Sequence, residues 1–344
     1  MIPGSLYIKS VGVYLPDERI SIEHAVESGM CDEEVRASGF VSVPVAGDIA
    51  PVDMAVLAAR QAMRRLAMDQ ADFDFFLHSS VAWAGPEGWS PSGYIMRELG
   101  SKPGAGYEVY QGCNGIFSSM EIAAGLLALA PPGATALLTT AINSSTSPVD
   151  RWSSAGSSIA VGDAAAAVIL GKDEGFARID SICSTMISDL EAVHRKAGPL
   201  EQDNADRPRV DMDARLDGSQ TDDMQTSIDL QRRLAGAYLD AMRRSFGEAG
   251  IKPYHIDRVL FEHIGEYLTH MFCLMPLRLP LQRSTVDFAS TVGHLGAADH
   301  IAALDNLLTT GQLSSGNRLL LLSGSTGWNT ASAVLTITDT KPQP

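Results

Sequence analysis

The sequence predicts an α/β fold in which one strand–helix unit occurs twice along the chain. Two observations lead to this prediction. Apolar segments of strand length alternate with segments of helical periodicity, a pattern typical of mostly parallel sheets. Several of these segments return in the same order at offsets of 179 to 183 residues, within a chain of 344 residues. We therefore expect two similar halves that pack about a pseudo-twofold axis.

The first half predicts a regular succession of elements. Residues 52–68 have apolar residues at helical spacing with arginines on the other side, as an amphipathic helix does. Ser90 and Pro91 suit the N-cap and the first position of a helix over 90–99. The other predicted elements are strands over 5–16, 73–80, 107–113, 134–142 and 164–171 and an apolar helix over 115–130.

The second half repeats these elements, although few positions are identical. The common order and the nearly constant offset indicate an internal duplication, with halves at 1–172 and 173–344. A polar stretch over 196–222, rich in Asp, Gly and Pro, is typical of a surface excursion. The repeated pairs are AMRR at 62 and 241, FDFFLHS at 73 and IDRVLFEH at 256, ALLTT at 136 and LLLLS at 319, and AAAAVIL at 164 and ASAVLTI at 331.

The composition argues against several classes of function. A formal net charge of −15 disfavours nucleic acid and anionic membranes as partners. We find no apolar run of about 18 residues and no signal-peptide pattern, and we expect no membrane span. The four cysteines are widely spaced, which disfavours zinc sites and disulfides and fits a reducing cytoplasm. Walker, dinucleotide-binding and HExxH motifs are missing, so we expect no metal and no bound cofactor.

Cys113 lies between glycines in YQGCNGIFSS, where a strand is predicted to turn into an apolar helix. The alternative is an inert core cysteine, but side-chain packing does not need glycine on both sides. A helix N-terminus favours the thiolate, which is the nucleophilic form. The N–H of Cys113 and those of Thr326 and Gly327, in the glycine-rich turn SGSTGWN, are candidates for an oxyanion hole.

Two histidines are candidates for chemistry with Cys113. His294 lies in VGHLGAADHIAAL, and the duplication places it where Cys113 stands in the first half, after a strand and at the start of a buried helix. Asp299 is placed to orient this imidazole, although it also suits the first turn of a helix. His300 is the other nearby imidazole and is expected to face solvent. His263 ends a buried strand in LFEHIG, as either a ligand-facing group or a satisfied polar residue.

Together, YQGCNG, LFEHIG, VGHLGAAD, GDAAAAVIL and SGSTGWN resemble the ketoacyl-acyl-carrier-protein (ACP) synthase III family, which has the thiolase fold. The resemblance extends over nearly the whole chain. It implies a duplicated five-layer α-β-α-β-α fold, a homodimer and an acyl-enzyme on Cys113. Family members that form carbon–carbon bonds use a histidine and an asparagine to stabilise an enolate. Here His263 is kept in changed surroundings, and His294 stands at the asparagine position.

This combination resembles the branch that transfers acyl groups onto sugars, cyclitols or other hydroxyls and amines. The resemblance implies that Cys113 takes an acyl group from an ACP or coenzyme A thioester. His294 then deprotonates the acceptor, Asp299 stabilises the imidazolium, and His263 is an auxiliary hydrogen-bond donor. The stretch over 196–222 forms part of the acceptor entrance in this hypothesis.

Two alternatives stay open at this point. The first is a decarboxylative ketoacyl synthase in which His263 and His294 together replace the usual pair. The second is a non-catalytic scaffold of the same fold. An acidic carrier protein needs a basic patch on this acidic chain, and the candidates are Arg232, Arg233, Arg243 and Arg244. The alternative for these arginines is a solvated helix face.

Overall fold

The computed structural model describes residues 5–82, 85–86, 88–153, 159–194 and 224–339, without the side chains of 192–193 and 224–227. The polar stretch predicted at 196–222 lies outside the described residues. The strands are β1 (Tyr7–Tyr14), β2 (Arg19–Ser21), β3 (Ser42–Pro44), β4 (Phe75–Ser80), β5 (Ala105–Tyr110), β6 (Thr135–Ile142), β7 (Ala164–Gly171), β8 (Ala177–Met186), β9 (Arg258–Phe261), β10 (Arg318–Ser325) and β11 (Asn329–Ile337).

The helices lie between and beyond these strands. Short 3-10 turns cover Gly112–Asn114, Ser188–His194, Pro253–His255, Leu281–Arg283 and Gly296–Ala298, and a π-helical turn covers His270–Leu274. The α-helices are α1 (Ile22–Glu27), α2 (Glu34–Ala37), α3 (Pro51–Arg65), α4 (Pro91–Glu98), α5 (Gly115–Leu129), α6 (Met224–Ala249), α7 (Glu266–Thr269), α8 (Met275–Leu277), α9 (Val286–Val292) and α10 (Asp299–Thr309).

The sheet shows the internal duplication directly. Nine strands follow the order β5-β4-β6-β7-β1-β8-β11-β10-β9, while β2 and β3 pair separately. In the first half β4 is parallel to β6, and β7 is antiparallel to both β6 and β1. In the second half β9 is parallel to β10, and β11 is antiparallel to both β10 and β8. The predicted repeat is confirmed, and the halves join where β1 pairs with β8.

The layers follow from strands that are apolar on both faces. Along β7, Ala164, Ala166 and Val168 face one cluster of buried residues, and Ala165 and Ala167 face another. The second cluster lies under α3, and the first contains α5 and α10 between the two half-sheets. A third cluster packs α6 on β9, β10 and β11. Strands buried on both sides carry continuous apolar runs, which explains why the alanine-rich segment is a strand.

The central helix region is unusually apolar. By length and composition, Gly112–Leu129 is long and apolar enough to cross a membrane, and it is the one such helix among the described residues. Of this segment 56% is buried inside the fold. Ile116, Phe117 and Met120 are fully buried between the half-sheets. Core burial therefore accounts for this composition.

One sequence prediction about the second half is wrong. We expected His294 to follow a strand, as Cys113 does, but it follows the short helix α9. Within the described residues the second half has no counterpart of β5, so β9 forms that end of the sheet. The outer side of β9 is met by a parallel bridge from Val259 to Ser284. The offset in sequence is preserved because α9 has 7 residues where β5 has 6.

A buried ion pair fixes the chain just before β7. Asp163 is fully buried and accepts hydrogen bonds from the Arg151 guanidinium, the Ala46 N–H and the Ser144 N–H, each 2.8 Å long. Arg151 also donates to the carbonyl oxygens of Pro44 and Val161. One carboxylate thus connects the β6–β7 connection with the segment around Ala46, which is distant in sequence.

We predict that Asp163→Ala lowers the free energy of unfolding by about 3–5 kcal/mol, because it leaves a buried arginine without its counter-charge. Asp72→Ala is the matched control, since the Asp72–Lys102 pair is exposed on both sides and such pairs contribute about 0–1 kcal/mol. Urea denaturation of both variants measures the difference. Equal losses of unfolding free energy in the two variants would contradict the stabilising role of the buried Arg151–Asp163 pair.

Candidate active site

Cys113 lies in the 3-10 turn between β5 and α5. Gly112 has φ +53, and a Cβ atom there would come within 2.5 Å of the Ser325 hydroxyl and 2.9 Å of the Thr326 hydroxyl. Glycine is needed at this position because of both its backbone conformation and the lack of space. The thiol therefore lies at the N-terminus of α5, against the hairpin that joins β10 to β11.

His294 is held by a segment of the other half. Its N–H donates to the Ala160 carbonyl over 2.8 Å, and its carbonyl accepts from the Gly162 N–H over 2.9 Å. Gly293 has φ +66, and a Cβ atom there would come within 2.5 Å of the Ala160 oxygen. Segment 160–162 therefore fixes the histidine backbone on both sides of the residue.

Cys113, His294 and Asp299 lie in one row. The Cys113 Sγ atom is 3.1 Å from Nε2 of His294, and Nδ1 of His294 is 2.7 Å from Oδ2 of Asp299. His294 is 5% exposed and Asp299 is fully buried. Since Nδ1 faces a carboxylate, it carries a proton, and Nε2 is left to take the proton of the thiol. Thiol, imidazole and carboxylate thus form a nucleophile, a base and an orienting group.

Asp299 receives hydrogen bonds from several directions. Its carboxylate accepts from the backbone N–H groups of His263 and Leu295, in addition to His294. Burial opposes its ionisation, but the adjacent imidazoles of His263 and His294 lower its pKa below the usual range. Burial likewise opposes the His294 imidazolium, but Asp299 and Cys113 outweigh it and raise the pKa of His294 well above its usual value. The site therefore favours a charged imidazole beside a charged carboxylate.

His263 is buried beside the same carboxylate, with a different tautomer requirement. Its Nδ1 atom lies 2.9 Å from the Gly293 carbonyl and 3.1 Å from Oδ1 of Asp299, which are both acceptors. Nδ1 must therefore carry the proton. Burial lowers the pKa of His263, although Asp299 opposes this shift, and burial thus favours the neutral ring with its proton on Nδ1 and a lone pair on Nε2. The auxiliary donor role of His263 stays a prediction, and it requires a proton on Nε2 that the neutral ring does not have.

The hairpin turn at 325–327 contacts the nucleophile loop. The Ser325 hydroxyl donates to the Gln111 carbonyl over 3.0 Å, and the Asn114 amide donates to the Asn329 carbonyl over 2.7 Å. The Gly327 N–H, predicted as an oxyanion donor, donates to Nδ1 of His194 over 3.2 Å. Thr326 is the remaining candidate from this turn beside Cys113.

Sequence reasoning missed one buried acidic residue beside this site. Glu262 precedes His263, is 5% exposed, and bonds to the Tyr238 hydroxyl and the Gly324 N–H. An acid that follows a buried apolar strand, as in VLFEH, is an unusual pattern that marks it in the sequence. His300, which we expected to face solvent, is also buried, with Nε2 3.0 Å from the Leu322 carbonyl and the ring edge-on to Phe117.

Comparison with known proteins shows the family of this chain. The chain is 32% identical to the ChlB3 acyltransferase, covers 99% of its own length and 100% of that chain, and superposes with a TM-score of 0.90. The model for the 3-oxoacyl-[acyl-carrier-protein] synthase III C-terminal region matches residues 246–337. The chain belongs to the ketoacyl-ACP synthase III-like family of the thiolase fold. A search of curated protein sequences found no match.

More distant members of the synthase III-like family share the fold. FabH from Pseudomonas aeruginosa PAO1 is 18% identical, with a TM-score of 0.78 over 98% of this chain and 100% of that one. Cerulenin-bound OleA from Xanthomonas is 16% identical, with a TM-score of 0.79 over 98% of both chains. The five-layer thiolase fold predicted from the motifs is therefore confirmed.

Three of the four arginines in the basic patch predicted for a carrier protein pair with acids of this chain. Arg232 pairs with Asp229, and Arg243 pairs with Asp240. Arg233 pairs with Asp189 at 2.6 Å. The remaining member of the patch, Arg244, donates to the Ser184 carbonyl. The solvated-face interpretation fits these four contacts.

We predict that Cys113 reacts with iodoacetamide faster than Cys31 at pH 7, because His294 accepts its proton. Burial and the neighbouring Asp32 raise the pKa of Cys31, which makes it a suitable internal reference. His294→Ala should slow the alkylation of Cys113 about 10-fold, toward the rate of an ordinary thiol. Peptide mass spectrometry over a time course measures both rates, and Cys31→Ser is the control. Equal Cys113 rates in wild type and His294→Ala would contradict the proton transfer.

Proposed function

We propose that this protein is an acyltransferase that moves an acyl group from an ACP or coenzyme A thioester, through Cys113, to a hydroxyl or amine. The acceptor class is a sugar, a cyclitol or a similar small molecule. The observation that carries the proposal is the row of Cys113, His294 and Asp299, with contacts of 3.1 Å and 2.7 Å. The 32% identity to the ChlB3 acyltransferase over nearly the full length supports it.

The first half-reaction acylates the cysteine. His294 takes the thiol proton, and the Cys113 sulfur attacks the thioester carbonyl carbon. The N–H groups of Cys113 and Thr326 are the proposed donors to the resulting oxyanion. When the tetrahedral intermediate collapses, the carbon–sulfur bond to the donor breaks, and the departing thiolate takes the proton back from His294. The acyl group then remains on Cys113 as a new thioester.

The second half-reaction transfers the acyl group. An acceptor O–H or N–H gives its proton to Nε2 of His294 while its oxygen or nitrogen attacks the acyl carbon. Asp299 stabilises the imidazolium through the bond to Nδ1. Collapse of this intermediate breaks the bond to Cys113, and the thiolate recovers a proton from the imidazolium. The product is an ester or an amide, and no carbon dioxide is released.

The second candidate is a decarboxylative synthase, and the geometry of the two histidines disfavours it. That reaction needs two hydrogen-bond donors for an enolate oxygen. Nδ1 of His263 faces two acceptors, so the neutral ring keeps its proton there and has no hydrogen on Nε2 to donate. His294 is committed to the thiol of Cys113 on one side and to Asp299 on the other. An imidazole pair with these partners suits proton transfer better than enolate binding.

We predict that acyl thioesters of ACP and of coenzyme A add one acyl mass to wild type and none to Cys113→Ala. His294→Gln, which keeps a polar side chain, should form the adduct slowly and discharge it to an added alcohol or amine at least about 100-fold more slowly than wild type, since the general base is lost. Intact-mass spectrometry measures both steps. Adduct formation on Cys113→Ala would disprove the covalent route, and the scaffold hypothesis would then be favoured.

A malonyl thioester separates the two catalytic candidates. The acyltransferase proposal predicts transfer of the intact malonyl group, with the mass of carbon dioxide retained in the product. Release of carbon dioxide in step with product formation would instead establish the decarboxylative reaction.

We also propose that two copies form a homodimer by pairing their β5 strands. Strand β5 ends the sheet, and no other described strand covers its outer side. Tyr107 and Tyr110 are exposed along it, the latter at 71%, and Leu129 of α5 is 91% exposed. An uncovered sheet edge beside exposed apolar groups is typical of strand pairing between subunits.

We predict that Tyr107→Glu and Tyr110→Glu together convert the protein from dimer to monomer, because like charges would face each other across the interface. Analytical ultracentrifugation measures the mass in solution. Tyr254→Glu is the matched control, since Tyr254 is equally exposed at 77% but lies away from β5. A wild-type monomer, or a dimer that persists in the double variant, would contradict the proposed interface.

A further inference from the structure

Glu262 takes part in none of the steps above, yet its carboxyl group is buried, with the residue 5% exposed, next to His263 of the site. Its Oε2 atom accepts the Gly324 N–H over 2.8 Å, and its Oε1 atom accepts the Tyr238 hydroxyl. Among the described residues no Lys or Arg side chain bonds to it. A buried carboxyl without a cation is costly, and such groups are concentrated at functional sites.

The position of Glu262 explains which bond its side chain replaces. The Glu262 N–H donates to the Leu322 carbonyl, as a parallel β9–β10 ladder requires. The next bond of such a ladder would run from the Gly324 N–H to the Glu262 carbonyl. That carbonyl instead accepts from the Ile264 N–H over 2.9 Å, because the chain turns away to place His263. The Glu262 side chain therefore supplies the acceptor that the backbone has withdrawn.

Gly324 leads directly into the turn that touches the nucleophile. Ser325 bonds to the Gln111 carbonyl, and the hydroxyls of Ser325 and Thr326 lie over Gly112. A shift of Gly324 would move these contacts and, with them, the Thr326 N–H proposed as an oxyanion donor. Tyr238 fills the space beside Gly324 and leaves no room for a Cβ atom there. The carboxyl and the phenol thus hold the base of the turn from one side.

We propose that Glu262, together with Tyr238, is a positioning residue for acylation: it holds the 324–327 turn, and so the oxyanion donors, in place against Cys113. The inference rests on the proposed acyl transfer. It assigns no contact with substrate to Glu262. Its ionised form holds the turn more firmly than its neutral form, because a carboxylate accepts both hydrogen bonds and a carboxylic acid must donate one.

The surroundings of Glu262 make its hold on the 324–327 turn dependent on pH. The groups that act on its charge are Tyr238 from α6 and the Gly324 N–H from β10, which bond to it, and His294 and Asp299, which act over a longer distance. Cys273 lies close by on the π-helical turn. Burial raises the pKa of Glu262 to about 7, although Tyr238 and the Gly324 N–H oppose the shift. Glu262 therefore ionises, and holds the turn more firmly, as the pH rises through about 7.

The stability of the fold should depend on pH in the opposite sense. Because the pKa of Glu262 is higher in the folded chain than its ordinary value near 4.5, the unfolded chain releases this proton first. Stability is therefore lost as the pH rises from about 4.5 to about 7. Glu262→Gln removes this loss. The difference in stability between the variant and wild type should therefore shift in favour of the variant from pH 5 to pH 8. If Glu262 only supported the fold, its replacement would not slow acylation and at the same time raise stability at pH 8 relative to pH 5.

The test compares two reactions of Cys113 in wild type and Glu262→Gln. Acylation by a short-chain acyl-coenzyme A needs the oxyanion donors, whereas alkylation by iodoacetamide is a direct displacement that does not. We expect acylation at pH 8 to slow about 10-fold to 100-fold, as misplaced groups typically cause, and alkylation to stay within about twofold. The rise of the wild-type acylation rate through pH 7 should be missing in Glu262→Gln. In Tyr238→Phe it should move to higher pH, because a hydrogen bond that favours the carboxylate is lost.

Each outcome decides the question. Equal slowing of both reactions, unchanged acylation in Glu262→Gln, or an unchanged pH profile would overturn the positioning role while leaving acyl transfer intact. A wild type that is alkylated but accepts no acyl group would overturn the proposed function and this inference with it. Glu121→Gln is the matched control, since Glu121 also accepts a side-chain hydrogen bond, from Ser184, outside the site.

Discussion

The site depends on a pair of backbone hydrogen bonds between the two halves of the chain. His294 donates to the Ala160 carbonyl and accepts from the Gly162 N–H, so its backbone belongs to a short ladder built by the first half. Segment 160–162 is in turn fixed by the buried Arg151–Asp163 pair. These backbone bonds fix the main chain of His294, the 2.7 Å bond to Asp299 orients its ring, and together they place Nε2 3.1 Å from the Cys113 sulfur. The first half thus supplies the nucleophile, and the second half supplies a base whose backbone is bonded to the first half.

Asp299 limits what the two histidines can do. One carboxylate meets the Nδ1 atoms of His294 and His263 as well as two backbone N–H groups. It stabilises one imidazolium readily, and a second positive charge beside the first would be repelled. The two rings are therefore unequal: His294 takes up protons, whereas burial lowers the pKa of His263. The same residue types in two slightly different positions acquire different chemistry.

Much of this arrangement could be predicted from the sequence. Periodicity located α3 and α5 within a few residues, and Ser90 caps α4 by accepting from the Gly93 N–H. The nearly constant offset between the halves predicted the repeated strand order. What could not be predicted depends on contacts distant in sequence. The replacement of a strand by α9, the burial of His300 and the bond from Gly327 to His194 are set by tertiary packing, which leaves no local pattern.

The loss of one strand from the second half also determines how the sheet can extend. A perfect duplicate would expose two equivalent edges, and copies joined through both would grow into an open fibre. Here the β9 edge is met by the segment around Ser284, whereas no strand among the described residues covers the β5 edge at the other end of the nine-stranded sheet. A molecule with a single adhesive edge can join one partner and no more. The asymmetry between the halves therefore protects a highly apolar sheet against aggregation.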